Sequence, residues 1–209
     1  MISITTVTTG AMHLVGFFDL DRQIELANLC FTLGKNEAGF YQPVLRSGAR
    51  MNLRMMCLGK HWNAKRYLYQ QRREDVDGRE VQMIPGGLLK AAHEIATAAN
   101  ISIRPDIALV NYYSAGSRLG LHQDKDERPE TLDAGIPVLS VSLGDAAEFL
   151  FGGPSRRDPV RKIRLQSGDV FVFGGPARMF YHGIARVAVG TGPAGLGLVG
   201  RINITFRQF

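Results

Sequence analysis

Two histidines and a carboxylate stand out among the residues that could do chemistry. His122 and Asp124 are separated by one residue, in Leu121-His122-Gln123-Asp124-Lys125. In an extended chain, residues two apart project from the same face, so both side chains can reach one ion. A third ligand must come from a distant segment, and His182, in Phe180-Tyr181-His182-Gly183, is the candidate. Two imidazoles and one carboxylate on one face of an octahedron leave positions open for a bidentate oxo-acid and for O2. That arrangement is the facial triad of non-haem Fe(II) oxygenases. A His-x-Asp pair alone recurs by chance, so the surrounding residues must carry the reading. His13, His61 and His93 have no carboxylate at this spacing and are read as structural or solvated.

The end of the chain supplies a second constellation. In Arg201-Ile202-Asn203-Ile204-Thr205-Phe206-Arg207, the polar residues share one strand face and the apolar residues the other. Two arginines on an inward face are costly unless they meet an anion. A dicarboxylic oxo-acid bound at the iron would offer one carboxylate near the metal and one distal. The planar guanidinium fork suits each of them. Asn111 and Tyr113 share a parity on an earlier strand and can add neutral hydrogen bonds. The plainer reading of the same pattern is an edge strand with its polar face in water.

These groups need a scaffold. Asp19 can cap a helix with the apolar face Leu20, Ile24, Ala27 and Phe31, ended by Gly34. A second helical pattern, Leu88, Ala91, Ala92, Ile95 and Ala99, follows Pro85-Gly86 and stops at Asn100. The rest of the first half reads as irregular, basic loops. From Asp106 onward the pattern predicts short strands at Ile107–Tyr113, Pro137–Leu143, Glu148–Phe151, Arg161–Leu165, Asp169–Phe173 and Arg201–Arg207, with a turn at Ser167-Gly168-Asp169. Helices before strands predict an α+β fold, a jelly roll buttressed by N-terminal helices. Residues 1–209 then form one domain, with residues 1–105 leading into a jelly-roll core at 106–209.

Composition agrees with a soluble globular domain: 45% hydrophobic and 21% charged residues. No stretch approaches the roughly 20 apolar residues of a membrane span, and Met1–Gly16 lacks the pattern of a signal peptide. Two cysteines, Cys30 and Cys57, make no disulfide framework, so a cytoplasmic location is expected. The net charge of +6 gathers in Arg46, Arg50 and Arg54, in Lys60 to Arg73, and in Arg156 to Arg164. Such clusters favour a polyanion partner, nucleic acid first, and on charge alone a merely solvated surface reads equally well.

Together the motifs resemble the AlkB family of nucleic-acid demethylases. The matching stretches are Asn111-Tyr112-Tyr113, His122-Gln123-Asp124-Lys125-Asp126-Glu127, Val141-Ser142-Leu143-Gly144, Phe180-Tyr181-His182-Gly183-Ile184, and the Arg201–Gln208 segment. The resemblance runs from about Arg50 to the C-terminus and is looser before it. It implies a double-stranded β-helix with a nucleotide-recognition lid within residues 1–105. It implies iron ligands His122, Asp124 and His182, with Arg201 and Tyr113 at the distal carboxylate of 2-oxoglutarate. Arg207, Asn203 and Asn111 would serve the end at the metal. The implied activity uses Fe(II), 2-oxoglutarate and O2 to remove N-alkyl groups from bases of the 1-methyladenine and 3-methylcytosine type. Formaldehyde and succinate are released, in direct-reversal alkylation repair.

A methylated base must leave its stack to reach the iron. Trp62 and Tyr67, interleaved with Lys60, Lys65 and Arg66, suit base stacking and phosphate contact. By similarity Trp62 stacks on the base with the His122 ring opposite, and Tyr67 touches the base or its phosphate. The segment between them is two residues shorter than in the family's best-known pattern. Asp126, with Glu127 second, is assigned to the cationic base and its exocyclic amine. Arg156 aligns with a substrate-side arginine, and Met51 and Met55 are placed at the lid. Phe173 stands where the best-known member has a Trp, and the Gly-rich Val189–Gly200 is read as a flexible connection. Expected partners are single- or double-stranded alkylated DNA, with RNA open, and no membrane; the protein is expected to be a monomer. Two alternatives stay open: a 2-oxoglutarate hydroxylase of a protein or small molecule, and a non-catalytic nucleic-acid-binding module.

Overall fold

The structure, a computed structural model, describes residues 3–209; Met1 and Ile2 of the expected N-terminal part lie outside the described residues. In chain order the elements are β1 (Ser3–Thr8), β2 (Ala11–Val15), α1 (Leu20–Gly34), β3 (Arg54–Leu58), β4 (His61–Asn63), β5 (Leu68–Gln70), α2 (Gly86–Ala98), β6 (Ile107–Tyr113), β7 (Leu119–His122), α3 (Pro129–Asp133), β8 (Val138–Gly144), β9 (Ala146–Phe151), β10 (Arg161–Leu165), β11 (Val170–Phe173), β12 (His182–Ala188) and β13 (Arg201–Arg207). A seven-stranded sheet runs β1-β2-β11-β8-β13-β6-β3, a four-stranded sheet runs β10-β9-β12-β7, and β4-β5 stands apart as a hairpin. Every named strand pair is antiparallel. The two larger sheets face each other, giving the expected α+β jelly roll. Among the described residues no helix is long and apolar enough to cross a membrane.

The central strands of the large sheet are buried on both faces. One parity of its strands, including Met56, Val110, Val141, Val172, Ile202, Ile204 and Phe206, packs under α1 and α2. The other parity, including Cys57, Leu109, Tyr113, Phe171 and Phe173, packs against the small sheet. Double burial explains why these strands read as nearly continuous apolar runs. The predicted strands are found within one or two residues of their expected ends, and β6, β10 and β13 match.

Three features differ from the sequence expectation. First, the N-terminal half is not only helices and loops: β1, β2 and β3 extend the large sheet at its two ends. β1 is largely exposed and Thr-rich, so it shows no apolar alternation. β7 and β12 were likewise hidden, because each carries a glycine and neither alternates cleanly. Second, α1 buries Gln23, Leu26, Ala27 and Cys30, whereas Leu20 is 40% exposed. Gln23 tolerates burial because its amide donates to the Phe18 carbonyl at 2.7 Å and accepts from Ser167 Oγ at 2.6 Å. Asp19 does cap this helix, accepting from the Arg22 N–H at 2.9 Å. Third, the Gly-rich connection is pinned. Asp145 accepts from the Thr191 and Gly192 N–H groups at 2.9 and 3.0 Å, the Tyr112 hydroxyl donates to the Val199 carbonyl, and Leu196 is buried near α1.

Candidate metal centre and its cavities

β7 and β12 bring the triad together. His122 ends β7, His182 begins β12, and the two are direct partners across the antiparallel pair. Asp124 lies two residues beyond His122, as the spacing predicts. One ligand atom from each of His122, Asp124 and His182 lies within 4.8 Å of the others. Nε2 of His122 is 3.7 Å, and Nε2 of His182 3.5 Å, from the Asp124 carboxylate. Nδ1 of His122 lies 2.9 Å from the Gly120 carbonyl, and Nδ1 of His182 lies 3.0 Å from the Phe180 carbonyl. A ring that donates Nδ1–H to a carbonyl presents Nε2 as a lone-pair donor. Burial, then the neighbouring His182, pushes His122 down to about 4. Burial opposes ionisation of Asp124, but Arg207, His182 and His122 together hold its carboxyl far below the usual range. A neutral His122 imidazole beside an ionised carboxylate is what a divalent cation needs. Asp124 Oδ2 is buried with no hydrogen-bond partner, which fits the role of a cation ligand.

β13 borders this centre, with Arg201 opposite Tyr113 and Asn203 opposite Asn111 on β6. All four, with His122, Asp124, His182, Arg207 and Phe173, line one narrow cavity. Arg201 is 0% exposed. It donates to Ser142 Oγ at 2.8 Å and to the Asp145 carbonyl at 3.4 Å, and it meets no carboxylate among the described residues. Its Nε and the Asn111 Oδ1 have no partner. Burial pulls the Arg201 guanidinium down to about 10. A buried cation without an anion is expensive, so this end of the cavity calls for a carboxylate ligand. Arg207 differs: it pairs with Asp124 at 2.7 Å and Glu127 at 3.3 Å, and donates to the Tyr69 hydroxyl at 2.8 Å. The Phe173 ring packs 4.8 Å from the His182 ring and offers no ligand atom.

A wider cavity of about 490 Å³ opens over the triad, lined by Trp62, Tyr67, His122, Asp126, Arg156, Met51 and Met55 among others. The Trp62 indole donates to Asp126 at 2.7 Å, and the Trp62 and Tyr67 rings meet edge-on at 6.1 Å. Burial raises the Asp126 carboxyl, with the Trp62 hydrogen bond opposing. Arg156 donates to the Leu121 carbonyl at 2.6 Å and lies over the Tyr181 ring. Glu127, expected as a second carboxylate beside Asp126, does not line this cavity. Its side chain is 0% exposed and sits between Arg178, at 3.1 Å, and Arg207. Arg178 also donates to the Asp124 carbonyl at 2.5 Å and the Ile136 carbonyl at 2.9 Å. Neither Arg178 nor Tyr69 has a sequence pattern that marks it as part of this centre. Arg178 is a buried arginine in a segment without periodicity, and Tyr69 is recognisable only as the cross-strand partner of Trp62.

The chain matches the 2OG-Fe(II) oxygenase superfamily over residues 10–207. It is 38% identical to the alpha-ketoglutarate-dependent dioxygenase AlkB homolog of Caulobacter vibrioides, over 97% of this chain and 89% of that protein. It is 37% identical to DNA N(6)-methyladenine demethylase ALKBH1C of Arabidopsis thaliana, over 98% of this chain and 50% of that protein. The solved structure of OsALKBH1 superposes with a TM-score of 0.93 at 37% identity, covering 99% of this chain and 100% of that one. The chain therefore belongs to the AlkB family of the 2OG-Fe(II) oxygenase superfamily. Fe(II), 2-oxoglutarate and O2 are the reagents of that superfamily. The chain spans about half the length of the Arabidopsis relatives it matches.

Proposed function

We propose that this protein is an Fe(II)- and 2-oxoglutarate-dependent oxidative demethylase of N-alkylated bases in DNA, with RNA as a second substrate. The observation that carries the reading is the cavity of about 490 Å³ in which Trp62, Tyr67 and Asp126 stand over His122 and Asp124. It offers an extruded base an aromatic wall, a carboxylate and the triad in one space. His122, Asp124 and His182 hold the iron. Arg201 and Tyr113 take the distal carboxylate of 2-oxoglutarate, and Arg207, Asn203 and Asn111 border the end at the metal. The bound iron and oxo-acid supply the oxidation of the N-alkyl carbon. The chain binds, orients and shields: Trp62 and His122 flank the base, Asp126 complements its charge, and Tyr67 and Arg156 guard the entrance. Names of relatives that act on N6-methyladenine or carry the AlkB name support DNA as the substrate. The protein acts as a monomer in the cytoplasm.

Oligonucleotides carrying 1-methyladenine, 3-methylcytosine or N6-methyladenine, as DNA and RNA, single- and double-stranded, test this by mass spectrometry. The expected result is base restoration with one formaldehyde and one succinate per event. Succinate without restoration of any base would turn the assignment towards a protein or small-molecule hydroxylase.

A further inference from the structure

Beside the Asp126 contact of Trp62 and the Arg207 contact of Tyr69, the hairpin that carries Trp62 is held by a buried carboxylate beneath it. β4 is three residues long, pairs only with β5, and forms no part of either larger sheet. Such an isolated hairpin is marginally stable in water. Side chains along β4 alternate: Trp62 lines the wide cavity, whereas His61 and Asn63 are buried beneath it. His61 Nε2 lies 2.6 Å from Asp75 Oδ1, with side-chain exposures of 0% and 3%. The other oxygen of the same carboxylate accepts from the Ala64 N–H at 3.0 Å. Asp75 thus grips the chain on both sides of Trp62. Its own seat is a tight turn in which the Arg73 carbonyl accepts from the Val76, Asp77 and Gly78 N–H groups at 3.0, 3.0 and 2.9 Å. Arg73 anchors that turn by pairing with Asp77 at 3.0 Å, donating to the Gly39 carbonyl at 3.1 Å, and lying 4.9 Å over the Tyr41 ring.

We propose that Asp75 is a positioning residue for substrate: its double contact with His61 and Ala64 sets the height and tilt of Trp62 over the cavity, and with them the affinity for an extruded base. The inference rests on the base-stacking role of Trp62 proposed above. Asp75 touches neither the triad nor the oxo-acid cavity, so it acts through the hairpin alone.

Trp62 is the single tryptophan of the chain, so its fluorescence reports the hairpin without substrate. Asp75→Ala removes both contacts, and Asp75→Asn can keep them as neutral hydrogen bonds. The expected result is a red-shifted Trp62 emission in Asp75→Ala, with the KM for a methylated oligonucleotide raised on the order of tenfold. Substrate-independent consumption of 2-oxoglutarate and kcat should stay within about twofold, and Asp75→Asn should fall between the variant and wild type. A residue that only stabilises the fold would lower the melting temperature and leave emission and KM at wild-type values. That outcome overturns the proposal, and Asp75→Asn decides it should the alanine variant not fold. If wild-type protein restores no methylated base, the demethylase reading falls instead, and the emission shift still decides whether Asp75 sets Trp62.

Discussion

At the scale of single residues, the two arginines of β13 do different work although they share one strand face. Arg207 already meets the Asp124 and Glu127 carboxylates, whereas Arg201 is buried with only neutral acceptors and an unpartnered Nε. Replacing a buried, unpaired charge by an apolar side chain of similar length is often neutral or stabilising. Arg201→Met is therefore expected to melt at or above the wild-type temperature when free of ligand. It should also lose the rise in melting temperature that 2-oxoglutarate gives the Mn(II)-loaded wild type, since that rise depends on affinity for the folded state. Thermal melts with and without the oxo-acid check both halves, and a retained ligand-induced rise would remove Arg201 from the site. The alternation along Arg201–Arg207 made both inward arginines legible in the sequence. It could not show which one is anion-free, because Asp124 and Glu127 reach Arg207 from a loop about 80 positions away. The same distance hid Glu127, which looks like part of an exposed acidic loop and is instead locked between Arg178 and Arg207.

At the scale of elements, periodicity locates α1, its cap and much of its inward face: Ala27 is buried and Ile24 and Phe31 pack partly buried against the core, whereas Leu20 is exposed. The buried face is Gln23, Leu26, Ala27 and Cys30, because Gln23 finds partners in Phe18 and Ser167 that no local pattern records. This yields a contrast. Leu26→Ala removes a fully buried side chain from the layer between α1 and the large sheet and should cost about 2–5 kcal/mol. Leu20→Ala, at the exposed start of the same helix, should cost less than about 0.5 kcal/mol. Urea unfolding of both variants shows whether Leu20 belongs to the inward face with Ile24, Ala27 and Phe31. The triad depends on elements of the opposite kind. β7 is only four residues long, β7 and β12 contain Gly120 and Gly183, and neither alternates cleanly, yet their register sets His122 directly across from His182. The ligands were legible by residue type and spacing, and the strands that hold them were not.

At the scale of the whole molecule, the net charge of +6 overstates what is free to meet a polyanion. Arg73, Arg178, Arg201 and Arg207 are buried, and Arg66, Arg72 and Arg79 pair with surface carboxylates. Arg46, Arg50 and Arg54 lie in a loop and at the start of the edge strand β3. Lys65, at the tip of the Trp62 hairpin, and Arg157, beside Arg156 at the cavity entrance, are exposed and make no ion pair among the described residues. A single strand crossing that entrance and touching about four phosphates should bind with a slope near −3 in log affinity against log salt. Lys65→Ala and Arg157→Ala should each flatten the slope by about 0.7. Lys90→Ala should leave it unchanged, because Lys90 is exposed on α2, across the large sheet from the entrance. Fluorescence anisotropy of a labelled oligonucleotide from low to physiological salt measures all three. Equal flattening by Lys65 and Lys90 would mean that the strand has no fixed track, and that the basic surface only raises the local concentration of nucleic acid.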